Sequence, residues 1–153
     1  MLDLYDELKS LVAELEAGRV EYALCGGLAL AVYDLPRATV DIDLLVPPAS
    51  LPAAIAVAAA RGYTVEAAPM RFAEGTIEIR RFTKTDPDSS DHLMLDLVVV
   101  TPALATIWEG RRPMDWEHGR LSVVSKEGLI RMKSLRKSGQ DQDDIRRLEG
   151  GAA

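Results

Sequence analysis

CGGLALAVYDLPRATVDIDLLV, residues 25–46, is the stretch that decides how this chain folds. It opens where a short apolar run, Tyr22-Ala23-Leu24-Cys25, meets Gly26-Gly27, the pattern of a buried strand running into a glycine turn. Leu28 to Tyr33 is apolar and alanine-rich, which suits a short helix starting at those glycines. Pro36 makes Asp34 to Thr39 a loop, and Val40 to Val46 reads as a second strand stopped by Pro47-Pro48. Side chains alternate along a strand, so Asp41 and Asp43 share one face while Ile42 and Leu44 point into the core.

Two carboxylates roughly 7 Å apart on one strand face make a hard, oxygen-rich surface. Such a surface suits Mg²⁺ or Mn²⁺ held through one or two carboxylates plus substrate phosphates. A glycine pair at a strand end lets the backbone approach a phosphate, and the helix that follows supplies N–H donors. Placing acids between apolar strand residues costs repulsion and β-propensity, which a bound cation would offset. Arg37 and Thr39, just ahead of the acidic strand, are further candidates for phosphate contact, although Arg37 could equally pair with Asp34.

Working outward, Leu4, Leu8, Leu11 and Leu15 repeat at helical spacing, and Gly18 closes an amphipathic first helix. Its acids Asp3, Asp6, Glu7, Glu14 and Glu16 are expected to face solvent. Ser50 is the expected cap of a helix ending at Ala60, with Gly62 as its stop. Tyr63 to Glu66, Thr76 to Phe82 and Leu93 to Val100 read as strands, the last two joined by the polar loop Lys84 to Asp91. Thr101-Pro102 signals a short helix reaching Trp108. Met114 to His118 and Leu121 to Val124 suit a hairpin, Ser125 caps a helix through Lys137, and a last helix runs from Gln140 to Leu148. The expected class is α/β (α+β), with a mixed central sheet flanked by helices in one domain, residues 1–153.

The composition bounds the function. The 153 residues are 48% hydrophobic, enough for a real core, with a net charge of −6. Residues 1–76 carry 11 acids and 5 bases and residues 77–153 carry 13 of each, so the imbalance lies in the first half. An acidic chain is a poor tracker of extended nucleic acid, but bound Mg²⁺ would neutralise much of the charge at the site. A single cysteine, Cys25, excludes a disulfide framework. With no signal peptide and no apolar run long enough to span a bilayer, a cytoplasmic protein without membrane partners is expected.

The glycine pair, the spacer and Asp41-Ile42-Asp43 resemble the signature of the nucleotidyltransferase superfamily. The lead-in Pro36-Arg37-Ala38-Thr39 resembles the small members related to AbiEii-type toxins. The resemblance implies a minimal nucleotidyltransferase fold and a third carboxylate on a neighbouring strand, for which Asp96 in His92–Val100 is the candidate. It implies metal binding by Asp41, Asp43 and Asp96, with Asp96 completing a second metal position or acting as general base. Toward the end, Lys133 followed by Asp141-Gln142-Asp143-Asp144 is similar to the lysine helix and Asp-x-x-Asp helix start of AbiEii-like proteins. By that likeness Lys133 would reach nucleotide phosphates and Asp141 would sit near the site, with Gly26, Gly27, Arg37 and Thr39 completing the nucleotide-binding set. The position after the glycines is Leu28, not the superfamily's serine. The implied reaction is Mg²⁺-dependent transfer of NMP from an NTP to an acceptor hydroxyl. That acceptor would be tRNA or another RNA end, a protein or a small molecule, and a toxin–antitoxin partner or a homodimer would fit. The alternative is a non-catalytic nucleotide-binding or toxin–antitoxin module with the same fold.

Overall fold

The computed structural model describes residues 2–35, 39–116 and 119–136. Its described residues form a mixed sheet with helices on both faces. In chain order the elements are α1 (Leu4–Ala17), β1 (Ala23–Cys25), α2 (Gly26–Val32), β2 (Asp41–Val46), α3 (Leu51–Ala60), β3 (Val65–Glu66), β4 (Met70–Phe72) and β5 (Ile77–Thr85). There follow β6 (His92–Val99), α4 (Ala105–Glu109), β7 (Arg112–Trp116), β8 (Gly119–Val123) and α5 (Lys126–Arg136). The strand order is β3-β5-β6-β2-β1-β8-β7, with β4 also paired to β5.

The centre of the sheet follows from the decisive stretch. β1 and β2 are antiparallel, β2 and β6 parallel, and β5 and β6 antiparallel. Ile42, Leu44, Leu45 and Val46 are buried, as are Leu95 and Leu97 of β6. The apolar face receives α1, which buries Leu8, Leu11, Val12 and Leu15 at about 1.5–3 kcal/mol each. Asp3 caps α1 by accepting from the Asp6 amide at 3.0 Å.

Several local expectations need correction. Glu7 does not face solvent: its carboxylate receives the Lys84 ammonium at 2.9 Å and the Tyr63 hydroxyl at 2.9 Å, tying α1 to β5. Ser50 makes no side-chain cap, because it lies in a 3₁₀ turn (Pro48–Ser50) that leads into α3. Thr101 likewise caps nothing, and its hydroxyl donates to the Thr76 carbonyl at 2.6 Å. The strand expected over Thr76 to Phe82 runs on to Thr85, and β4 is a strand that the sequence pattern does not signal. Gly62, at φ +96, stops α3 as expected, and Ser125 caps α5 by accepting from the Gly128 amide at 3.1 Å. The helix expected over Gln140 to Leu148 lies outside the described residues. Among the described residues no helix is long and apolar enough to cross a membrane.

Candidate functional site

The acids reach one place because of strand register. Across the sheet, Cys25 of β1 is partnered with Asp43 of β2, Asp43 with Asp96 of β6, and Asp96 with Arg81 of β5. Directly partnered residues project to the same face, so one row of the sheet reads cysteine, carboxylate, carboxylate, guanidinium. Asp41 lies two residues before Asp43 on that face, and both are half-buried while Ile42 and Leu44 are buried.

Gly26 is shaped by the same row. Its φ of +69 is a left-handed conformation that suits glycine. A Cβ built there would approach Cγ and Cβ of Asp43 at 2.8 and 2.9 Å, closer than real side chains come. The glycine thus admits the Asp43 carboxylate against the start of α2. Gly27 is buried in the first turn of that helix.

On this face of the sheet lies a small cavity of about 40 Å³, lined by Cys25, Gly26, Asp43, Lys133 and apolar side chains that include Ile79, Val98 and Met132. Lys133 comes from α5 and is buried, with 5% exposure. A buried ammonium is stabilised by nearby negative charge, and Asp43 lines the same cavity.

Asp96 is differently placed. It is 3% exposed, and both of its carboxylate oxygens accept from Arg81, Oδ1 from Nε at 2.8 Å and Oδ2 from Nη2 at 2.9 Å. This bidentate pair raises the Arg81 pKa, chiefly through those hydrogen bonds, and Asp41 and Asp43 add a smaller Coulombic contribution. The sequence pattern does not single out Arg81 as part of the site. Strand alternation alone gives its face, and only the register of β5 on β6 shows what it meets.

Asp41, Asp43, Asp96, Gly26, Gly27 and Lys133 are therefore brought to one region. Thr39 lies beside them, with its hydroxyl directed at the Asp41 carbonyl at 3.4 Å. Arg37 and Asp141 lie outside the described residues. Among the described residues, no group of three or more His, Cys, Asp and Glu side chains is arranged to hold a metal ion. Asp41 and Asp43 nonetheless form a donor set that fits a hard divalent cation, since carboxylate oxygens on one face are the ligands Mg²⁺ uses with phosphate. Trp108 and Trp116 are partly buried against the core, and Arg111 stacks over Trp108 at 3.7 Å.

No family model matches the sequence, and no curated protein does. Solved structures do match the fold. A candidate nucleotidyltransferase from Thermotoga maritima (TM1012) superposes with a TM-score of 0.66 at 11% identity, covering 95% of this chain and 92% of that one. The lincosamide antibiotic adenylyltransferase LnuA, solved with lincomycin bound, gives 0.61 at 18% identity over 94% and 95%. JHP933 from Helicobacter pylori gives 0.58 at 15% identity, covering 92% of this chain and 62% of its own. At these identities the likeness establishes the fold: a mixed α/β sheet flanked by helices, of the kind found in nucleotidyltransferases.

Proposed function

We propose that this protein is a divalent-metal-dependent nucleotidyltransferase, moving a nucleoside monophosphate from an NTP to an acceptor hydroxyl with release of pyrophosphate. The observation that carries the reading is the placement of Asp41 and Asp43 on one strand face beside Gly26, with Lys133 lining the cavity that Asp43 and Gly26 share. Fold neighbours that include an adenylyltransferase support it.

Asp41 and Asp43 are the residues that would hold Mg²⁺ or Mn²⁺, which when bound supplies charge neutralisation and Lewis acidity at the phosphates. Gly26, without a Cβ and with its backbone turned into the left-handed region, lets the Asp43 carboxylate lie close against the backbone at the start of α2. Lys133 brings a fixed positive charge to the same cavity, where low polarity strengthens its pull on phosphate. The acceptor oxygen bonds to the α-phosphorus, the bond to the pyrophosphate oxygen breaks, and the acceptor proton leaves to solvent. Arg37, Thr39 and Asp141 complete the proposed nucleotide-binding set. The single-domain organisation, cytoplasmic location, AbiEii-like subtype and toxin–antitoxin partner belong to this proposal.

A second reading, a nucleotide-binding module without turnover, is favoured by Leu28 standing where the superfamily has a serine. Incubation with each α-labelled NTP, Mg²⁺ and either total RNA, lysate protein or a lincosamide separates the readings and the acceptors. The enzyme labels one acceptor and releases pyrophosphate, and Asp41→Asn with Asp43→Asn abolishes both while the far-ultraviolet spectrum is retained. NTP binding without pyrophosphate release establishes the module instead. Full activity in the double variant overturns the assignment.

A further inference from the structure

We propose that Arg81 is a triphosphate-binding residue and that Asp96 acts by positioning it rather than by holding a cation. The proposal rests on the nucleotidyltransferase reading above and assigns a role within the same site. The geometry of the row is the first argument. Asp96 sits between Asp43 and Arg81, so whatever Asp96 binds decides the charge presented on that side of the acids. Both of its oxygens already accept hydrogen bonds from one guanidinium in the parallel, two-pronged arrangement that fixes an arginine most firmly.

Exposure is the second argument. The Asp96 side chain is 5% exposed and that of Arg81 is 32% exposed. The carboxylate therefore lies beneath the guanidinium, and a ligand arriving from solvent meets the cation. A divalent ion approaching the row finds carboxylates at Asp41 and Asp43 but a positive group in front of Asp96. A triphosphate finds the opposite, an arginine held in place with Nε and Nη2 engaged and Nη1 available to donate.

The location is the third argument. Ile79, two residues before Arg81 on the same face of β5, lines the cavity with Asp43, Gly26 and Lys133. Arg81 is thus one strand repeat, roughly 7 Å, from the cavity wall. Lys133 and Arg81 thus bring two cations to the neighbourhood of the acids, one buried and one partly exposed. Two cations suit a chain of phosphates better than a single anion, because Arg81 can grip one phosphoryl group in a plane while Lys133 acts as a point charge on another.

The test is calorimetric binding of ATP and of tripolyphosphate in Ca²⁺ to the full chain, without turnover. Arg81→Met should weaken binding at least tenfold, and Arg81→Lys by less. Asp96→Asn should weaken it by three- to tenfold in the wild-type background but by less than twofold in Arg81→Met, since its effect passes through the arginine. Removing a carboxylate that only repels the polyanion would instead tighten binding, and removing a cation ligand would cost as much in either background. Tighter or unchanged binding in Arg81→Met, or an additive loss on adding Asp96→Asn, overturns the proposal. Arg81→Lys keeps the test decisive should the methionine variant fail to fold. Loss of binding in Asp43→Asn with full retention in Arg81→Met refutes this inference alone. A wild-type protein that binds neither probe refutes the nucleotidyltransferase reading with it.

Discussion

Replacing Gly26 by alanine puts two separable loads on the protein, and their sum reports how closely Asp43 is held. The first is backbone: at φ +69 a Cβ costs about 1–2 kcal/mol. The second is contact, since the new methyl would meet Cγ and Cβ of Asp43 at 2.8 and 2.9 Å. Forcing an atom into such a packed place costs about 1–3 kcal/mol, so the variant should lose about 2–5 kcal/mol in total. Gly75 is the control, because it has φ +88 yet no atom within 4 Å of where an alanine methyl would sit. Gly75→Ala should carry the backbone load alone, about 1–2 kcal/mol. Urea denaturation measures both, and each kcal/mol corresponds to about 2–4 °C in Tm for a chain of this size. Adding Asp43→Ala should return part of the Gly26→Ala loss, with a coupling of about 1 kcal/mol. Equal losses in the two glycine variants, with no coupling to Asp43, would show that the carboxylate is not packed against Gly26 and would remove the structural basis of the site.

Two further outcomes follow from contacts away from the acids. Burial is the first cause that raises the phenol pKa values of Tyr22 and Tyr63 above 10.0, assisted by donation to Glu16 and Glu7. Between the unfolded value and the raised native value the folded chain holds more protons than the unfolded one. Stability should therefore be complete below about pH 10 and fall above it by up to about 1.4 kcal/mol per pH unit for each phenol. Tm measured from pH 8 to 11 should drop late and steeply, Tyr22→Phe with Tyr63→Phe should flatten the drop, and an unchanged slope would refute it. Gly128→Ala offers a helix gain of about 1 kcal/mol. Its methyl, however, would lie 2.6 Å from Val124 Cγ1 and 3.0 Å from Ile107 Cγ2. The net result should be a loss of up to about 2 kcal/mol in urea, and a gain would mean that α5, which carries Lys133, is not packed against Ile107 of α4.

The parts of the fold that can be read from the sequence are those fixed by local pattern. Alternation places Ile42 and Leu44 inward and Asp41 and Asp43 outward, whatever the neighbouring strands do. The periodic leucines of α1 and the serine before α5 are similarly local signals. What escapes such a reading depends on partners distant in sequence. Glu7 looks like any surface acid of an amphipathic helix until Lys84, 77 positions away, is brought against it. Thr101 has a good capping context but finds the Thr76 carbonyl instead. β4 is short, and its Arg71 and Phe72 are exposed, so it carries no alternation to detect and exists because β5 offers it an edge. Within the site, the carboxylates can be named because each interrupts an apolar strand. Arg81 cannot, because an arginine in the mixed run Ile77–Thr85 is ordinary until register sets it opposite Asp96.

The strand order also sets a sequence of events during synthesis. Gly26, Asp41 and Asp43 leave the ribosome early, Arg81 and Asp96 later, and Lys133 later still, after β8 has supplied the parallel neighbour of β1. Domains fold largely as units, and distant pairings are the slow ones. The growing chain thus carries the residues of β2, β5 and β6 before the buried lysine has been made. Arg81 is the cation that the central strands themselves bring to that acidic row, whereas Lys133 joins it only through α5.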